Sequence, residues 1–220
     1  MTLRDELWAS AADVYAAILD HPFVTGLADA TLPRNTFVGY VVQDAHYLRG
    51  YARALSLCAA KAPDEPAIEM FALHAAGALA VERSLHDSFF ADVGLTPAQV
   101  AATPLSPTTT AYVNHLLAVC AVGSFADALA AVLPCYWIYA EVGRELLARG
   151  SADPLYQRWV DTYGGETFAA IVAAVLDVTD RLGDMVSEPQ RAAMAAHYRT
   201  SSRYEWLFWD AAWRRETWPL

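Results

Sequence analysis

Apolar residues recur every three or four positions along nearly the whole chain, and no stretch alternates at period two with β-branched enrichment, which predicts helices and no sheet. Thr2, with Asp5 three residues later, opens a first helix to about Leu19, with Leu7, Val14, Tyr15 and Ile18 as its apolar stripe. A long second helix follows Pro33, from about Arg34 to Ala62. A third runs from Pro66 to about Val93 and is ended by Gly94. Thr96-Pro97 opens a short turn of helix, and Ser106-Pro107 opens a helix to about Val122. Ser124, with Asp127, caps the next, which ends at Gly150. Asp153-Pro154 starts a short helix to Tyr163, Gly164-Gly165 breaks it, and a further helix runs to about Met185. Ser187, Pro189 and Gln190 start the last helix, which continues to about Glu216. No repeat, low-complexity tract or long linker interrupts this order. The pattern predicts one all-α domain over residues 1–220, built from long, mostly antiparallel helices with short connections.

Three features break the stripes. Pro134 lies inside the helix after Ser124, where it removes a hydrogen bond and pushes away the carbonyl of Ala130, at a cost of roughly 3 kcal/mol. Cys135 follows it directly, with Tyr139 four residues on, so a kink there would aim the thiol into a cavity; a buried cysteine that merely fills a core is the competing reading. Cys58 and Cys120, in Leu/Ala-rich runs, read as core packing. In the second helix, Asp44 interrupts a stripe of Phe37, Tyr40, Val41, Tyr47, Leu48, Tyr51 and Leu55. A buried carboxylate is costly unless paired or used; pairing with Arg49 or Arg53 is the alternative. In the last helix, aromatic residues surround Glu205. Apolar surroundings raise a glutamate pKa toward neutrality, which suits acid–base work, whereas a surface pair with Arg203 or Arg199 would be structural. Tyr112 and Tyr163 fall at helix ends, where a phenol can reach a pocket.

Composition narrows the class. The chain is 220 residues long, 55% hydrophobic and only 18% charged, so much apolar surface must be hidden in helix layers or between subunits. Its net charge of −10 argues against a nucleic-acid partner and against an anionic membrane surface. The start shows no targeting segment, and the longest uncharged apolar run, Ala128 to Ala140, is too short to span a bilayer. Three cysteines without a disulfide spacing fit a reducing cytoplasm. There is no Glu-x-x-His pair, no zinc spacing and no Gly-rich phosphate loop, so no metal or cofactor site is expected. Glu82 and His86 read as a helix-surface pair, and none of the six histidines stands out as a ligand.

Gln43-Asp44-Ala45-His46-Tyr47, then Leu133 through Glu141 with Pro134-Cys135-Tyr136-Trp137, then Tyr163, then Tyr204 through Asp210 follow one another in an order and spacing that resembles the TenA/thiaminase II family over essentially the whole chain. The resemblance implies a haem-oxygenase-like helical bundle, usually without haem and usually a homotetramer. It implies a hydrolase of thiamin salvage, acting on thiamin or on 4-amino-5-aminomethyl-2-methylpyrimidine to give hydroxymethylpyrimidine. By the same resemblance Cys135 is the nucleophile and Glu205 the acid/base that protonates a ring nitrogen. Asp44 holds the substrate's amino edge, Tyr112, Tyr139 and Tyr163 surround ring and thiol, and Tyr47 is a stacking platform. The family branch that lacks this cysteine is disfavoured. The glycine pair after Tyr163 departs from the pattern and predicts a looser connection there. Two other classes remain open at this point: a redox or cofactor enzyme on the same scaffold, and a non-catalytic pyrimidine-binding regulator.

Overall fold

The computed structural model describes residues 2–84, 89–90 and 92–220, with Glu82 and Arg83 described by backbone alone. Eleven helices are found among them, and no strand. They are α1 Leu3–Ser10, α2 Ala12–Leu19, α3 Pro22–Ala28, α4 Arg34–Lys61, α5 Glu65–Ser84, α6 Pro97–Ala102, α7 Pro107–Val122, α8 Phe125–Arg149, α9 Pro154–Gly164, α10 Glu166–Gly183 and α11 Glu188–Arg214.

Side-chain caps explain most of the starts. Thr2 with Asp5, Thr96 with Gln99 and Ser124 with Asp127 form reciprocal pairs that satisfy the orphan N–H groups of α1, α6 and α8. Two differences from the sequence reading stand out. The first helix is interrupted at Ala11, which leaves the helical conformation between α1 and α2. Helix α3 lies where the apolar period predicts no element; Pro22 opens it, and the His21 ring accepts the Phe23 N–H as its cap. The continuation of α5 toward Val93 crosses residues outside the described ones, as does the pairing of Glu82 with His86.

α8 runs through the middle of the bundle, against α3, α4, α7, α9, α10 and α11. Ala128 to Leu133 are fully buried, and the small side chains of Ala128, Ala130 and Ala131 let the flanking helices approach. The helix is apolar enough over one stretch to cross a membrane, but 67% of that stretch is buried inside the bundle, so packing accounts for its hydrophobicity. α8 continues through Pro134 as one element. Gly150, with φ 70°, ends it in the left-handed region open to glycine.

The glycines at Tyr163 have a physical reason. A Cβ on Gly143 of α8 would lie 2.4 Å from the Tyr163 carbonyl carbon, and one on Gly164 would lie 2.6 Å from the Gly143 oxygen. α8 and α9 therefore touch backbone to backbone at this crossing. The expectation of a looser connection is corrected: Gly164 is where the chain is held most closely, and the contact fixes the backbone of Tyr163. Gly165 serves as both the end of α9 and the start of α10, at an ordinary extended conformation.

Candidate active site

One face of α4 supplies the first wall of the site. Asp44, Tyr47 and Tyr51 follow at helical spacing and are all buried. α8 supplies the second wall with Cys135, Tyr136 and Tyr139, and α9 closes one end with Thr162 and Tyr163. Together with His74, Gly77 and Val81 of α5 and Phe168 and Ile171 of α10 they enclose a cavity of about 250 Å3. Five of the seven residues singled out in the sequence, Asp44, Tyr47, Cys135, Tyr139 and Tyr163, line this cavity.

The other two, Tyr112 and Glu205, form the layer behind it. Glu205 of α11 is 1% exposed and accepts a hydrogen bond of 2.5 Å from the Tyr112 hydroxyl. Tyr112 is held for this by its neighbours. Its ring lies between Tyr47, with centroids 5.0 Å apart, and Tyr204, stacked at 5.1 Å and 9°. Tyr112 also lies within α7 rather than at its end, so its reach into the site comes from packing and not from a helix terminus.

Burial sets the protonation states. It pushes the Glu205 carboxyl up to about 8, with the Tyr112 bond pulling down and the charge of Asp44 pushing further up. Asp44 is pushed up to about 7 by burial. Among the described residues Asp44 takes part in no ion pair, so the expected alternative of pairing with Arg49 or Arg53 is not what the fold uses; the Arg53 guanidinium donates to the Arg49 carbonyl instead. Glu205 is likewise not a surface residue, and Arg199 pairs with Asp13. Burial pushes the Cys135 thiol well above its ordinary 9, and the Glu205 and Asp44 charges push the same way, while the phenols of Tyr47 and Tyr51 pull it down. The site thus holds a protonated thiol, with the Asp44 carboxyl on the same cavity wall and the Glu205 carboxyl buried in the layer behind.

Several residues around the site were not singled out by sequence. Tyr51 donates to the Val132 carbonyl at 3.0 Å, next to the place where Pro134 removes a helical N–H. Tyr136 pairs with His74 Nδ1 at 3.0 Å, so one of six histidines without a distinguishing motif lies on the cavity wall. Phe208, one turn beyond Glu205, packs on Tyr47 and Tyr40. The Tyr40 hydroxyl meets Tyr139 at 3.2 Å and accepts from Trp159 Nε1 at 3.3 Å. Tyr51 and Phe208 could have been found from their stripes; His74 carries no sequence signal. Among the described residues the buried Tyr47 hydroxyl makes no hydrogen bond of normal geometry, which leaves it available to a bound molecule. No group of three or more His, Cys, Asp or Glu side chains among the described residues is arranged to hold a metal ion.

Such a site can add a thiol to an electron-poor ring while a neighbouring carboxyl moves a proton. Residues 8–215 match the TENA/THI-4/PQQC family. The chain is 38% identical over 218 residues to the aminopyrimidine aminohydrolase of Bacillus subtilis (strain 168), covering 99% of this chain and 92% of that protein. Its fold superposes on a TenA homologue protein from P. horikoshii OT3 with a TM-score of 0.90 at 27% identity, covering 97% of this chain and 99% of that one. A domain with a heme oxygenase-like fold from Shewanella denitrificans OS217 superposes with a TM-score of 0.72 at 16% identity, covering 93% of this chain and 89% of that one, a likeness of fold alone.

Proposed function

The chain belongs to the TENA/THI-4/PQQC family, and from that premise we propose that Cys135 and Glu205 carry out the hydrolysis of an aminopyrimidine in its cavity. The protein is a hydrolase of thiamin salvage that releases hydroxymethylpyrimidine from an aminopyrimidine carrying a leaving group on its exocyclic methylene.

Cys135 attacks the ring as a thiolate and a carbon–sulfur bond forms. The displaced π pair moves to a ring nitrogen, which takes a proton from Glu205. Glu205 suits this role because it keeps its proton up to about pH 8. Loss of aromaticity then lets the leaving group depart from the methylene with its bonding pair. Water adds to the methylene and gives up one proton, which balances the proton an amine leaving group takes up on departure; the ring nitrogen returns its own proton to Glu205, and the sulfur leaves with its electrons to restore the ring. Asp44 holds the 4-amino edge: a carboxyl that titrates near pH 7, with no cation against it, accepts an N–H well. Tyr47 supplies a flat face, stacked on Tyr51 at 5.5 Å and 19°. Tyr139 and Tyr163, with ring centroids 4.9 Å apart, close the other side, and Tyr112 orients Glu205.

The observation that carries this reading is a thiol and the Asp44 carboxyl on the wall of one aromatic cavity, with the buried Glu205 held by Tyr112 in the layer behind it. Its test is Cys135→Ser, assayed by chromatography of hydroxymethylpyrimidine formed from 4-amino-5-aminomethyl-2-methylpyrimidine and from thiamin. Folding should be normal and hydrolysis nearly abolished, because a hydroxyl is far less ionised than a thiol near neutrality. A rate near that of the native protein would overturn the assignment.

The protein acts as one domain, in the cytoplasm, and as a homotetramer. Support for assembly comes from α5, which exposes Ile68, Leu73, Leu79 and Val81, with Leu73 62% exposed; Leu73 and Val81 lie at the cavity, so a partner seated on α5 would cover that side of the site.

A further inference from the structure

The reaction leaves one proton without a destination. Cys135 starts as a thiol, yet Glu205 is already protonated at neutral pH and Asp44 is assigned to the amino edge. The α5 side of the cavity offers a route. His74 lies on its wall with Nδ1 3.0 Å from the Tyr136 hydroxyl. The Tyr136 ring meets Tyr51 edge to face with centroids 5.7 Å apart. Tyr51 gives its proton to the Val132 carbonyl, which leaves its oxygen lone pairs available as an acceptor. Tyr51 shares the cavity wall with Cys135 and Tyr136, and it pulls the pKa of each down.

We infer that His74 is the proton acceptor for Cys135, reached through the hydroxyls of Tyr51 and Tyr136, an inference that rests on Cys135 being the nucleophile. The S–H bonding pair stays on sulfur. The thiol proton passes to the Tyr51 oxygen, and the Tyr51 proton turns from the Val132 carbonyl to the Tyr136 oxygen. The Tyr136 proton then moves to His74 Nδ1. A thiolate and an imidazolium result, and the reverse transfer restores both at the end of the cycle. The bond from Tyr51 to Val132 acts as a rest position, because the chain conducts only once that hydroxyl rotates.

The surroundings of His74 permit this. Burial holds its pKa below the ordinary 6.5, so it is neutral with a free lone pair at pH 7. Phe71, from its own helix, contacts the ring and carries no charge. The titratable groups sharing the wall are Asp44, Tyr47 and Tyr51 from α4, Cys135, Tyr136 and Tyr139 from α8, and Tyr163 from α9; α10 contributes Phe168 and Ile171. Of these, Asp44 alone carries charge near neutrality, and a negative charge on the same wall favours the imidazolium.

The test is the pH dependence of Cys135 alkylation by iodoacetamide, followed by peptide mass spectrometry so that Cys58 and Cys120 are read separately. It needs no substrate and is independent of the hydrolysis assay. In the native protein the rate should level off from about pH 6 upward, where neutral His74 can take the proton. In His74→Phe that plateau should vanish: the rate should climb about tenfold per pH unit and lie roughly 10²-fold lower at pH 7. Tyr136→Phe should behave alike, and the double variant should lose no more than either alone. His74→Gln can still bond to Tyr136 but cannot hold the proton, so it should fail like His74→Phe. A native-like profile in His74→Gln would mean that His74 only positions Tyr136, and a native-like profile in His74→Phe would remove it from the route altogether. Either result overturns the inference while leaving the nucleophile assignment to Cys135→Ser.

Discussion

Glu205→Gln should make the protein more stable as it makes it inactive, and the gain should grow with pH. The Glu205 carboxyl ordinarily ionises at 4.5, and in the folded protein it holds its proton to about 8. Between those values the folded state binds a proton that the unfolded state has released, so the native protein is most stable below 4.5 and loses stability as pH rises toward 8. From pH 5 to pH 7.5 that loss runs at up to about 1.4 kcal/mol per pH unit and comes to about 3 kcal/mol. Glutamine accepts the Tyr112 hydroxyl as the acid does, and it has no proton to lose. Any constant cost of burying its amide is the same at both pH values and cancels in the comparison. Asp44, pushed up to about 7 by burial alone, destabilises both proteins in the same way and cancels too. Thermal unfolding followed by circular dichroism at pH 5 and pH 7.5 reads the effect. The melting temperature of Glu205→Gln relative to the native protein should rise by roughly 6–12 °C between the two conditions, given about 2–4 °C per kcal/mol for a chain of this size. A difference that stays constant with pH would show that Glu205 is ionised when folded, and the case for it as a proton donor would fall with it.

Calorimetry with hydroxymethylpyrimidine should separate the two carboxyls: Asp44→Asn should lose product affinity more severely than Glu205→Gln, whereas Glu205→Gln should lose turnover by roughly 10²-fold or more. If Glu205→Gln abolished binding and Asp44→Asn kept it, their roles would have to be exchanged. Gly164→Ala forces a methyl to within 2.6 Å of the Gly143 oxygen; it should cost about 1–3 kcal/mol and reduce turnover by moving Tyr163, and an unchanged melting temperature with full activity would contradict that crossing. Light scattering at micromolar concentration should give a tetramer, and a monomer would remove α5 as an assembly surface.

Most helix boundaries were legible in the sequence, because caps, prolines and apolar period act within a few residues of one another. Ser124 with Asp127, Pro107 and Gly150 fix their boundaries locally, and the structure keeps them. Helical spacing also put tyrosines one turn from Asp44 and from Cys135, but it left open whether the carboxyl was paired by an arginine and whether the thiol only filled the core. Local reading missed the break at Ala11, which no proline or glycine marks, and α3, a turn of helix too short for periodicity to register. The remaining features depend on pairs far apart in the chain. Tyr112 meets Glu205 because α7 packs against α11. His74 faces Tyr136 because α5 lies across the cavity from α8. Gly164 reads as a loosening of the chain until Gly143 is set against it. The charge states of Asp44, Cys135 and Glu205 belong to this level as well. They follow from removing water on every side, and that requires α4, α7, α8 and α11 together.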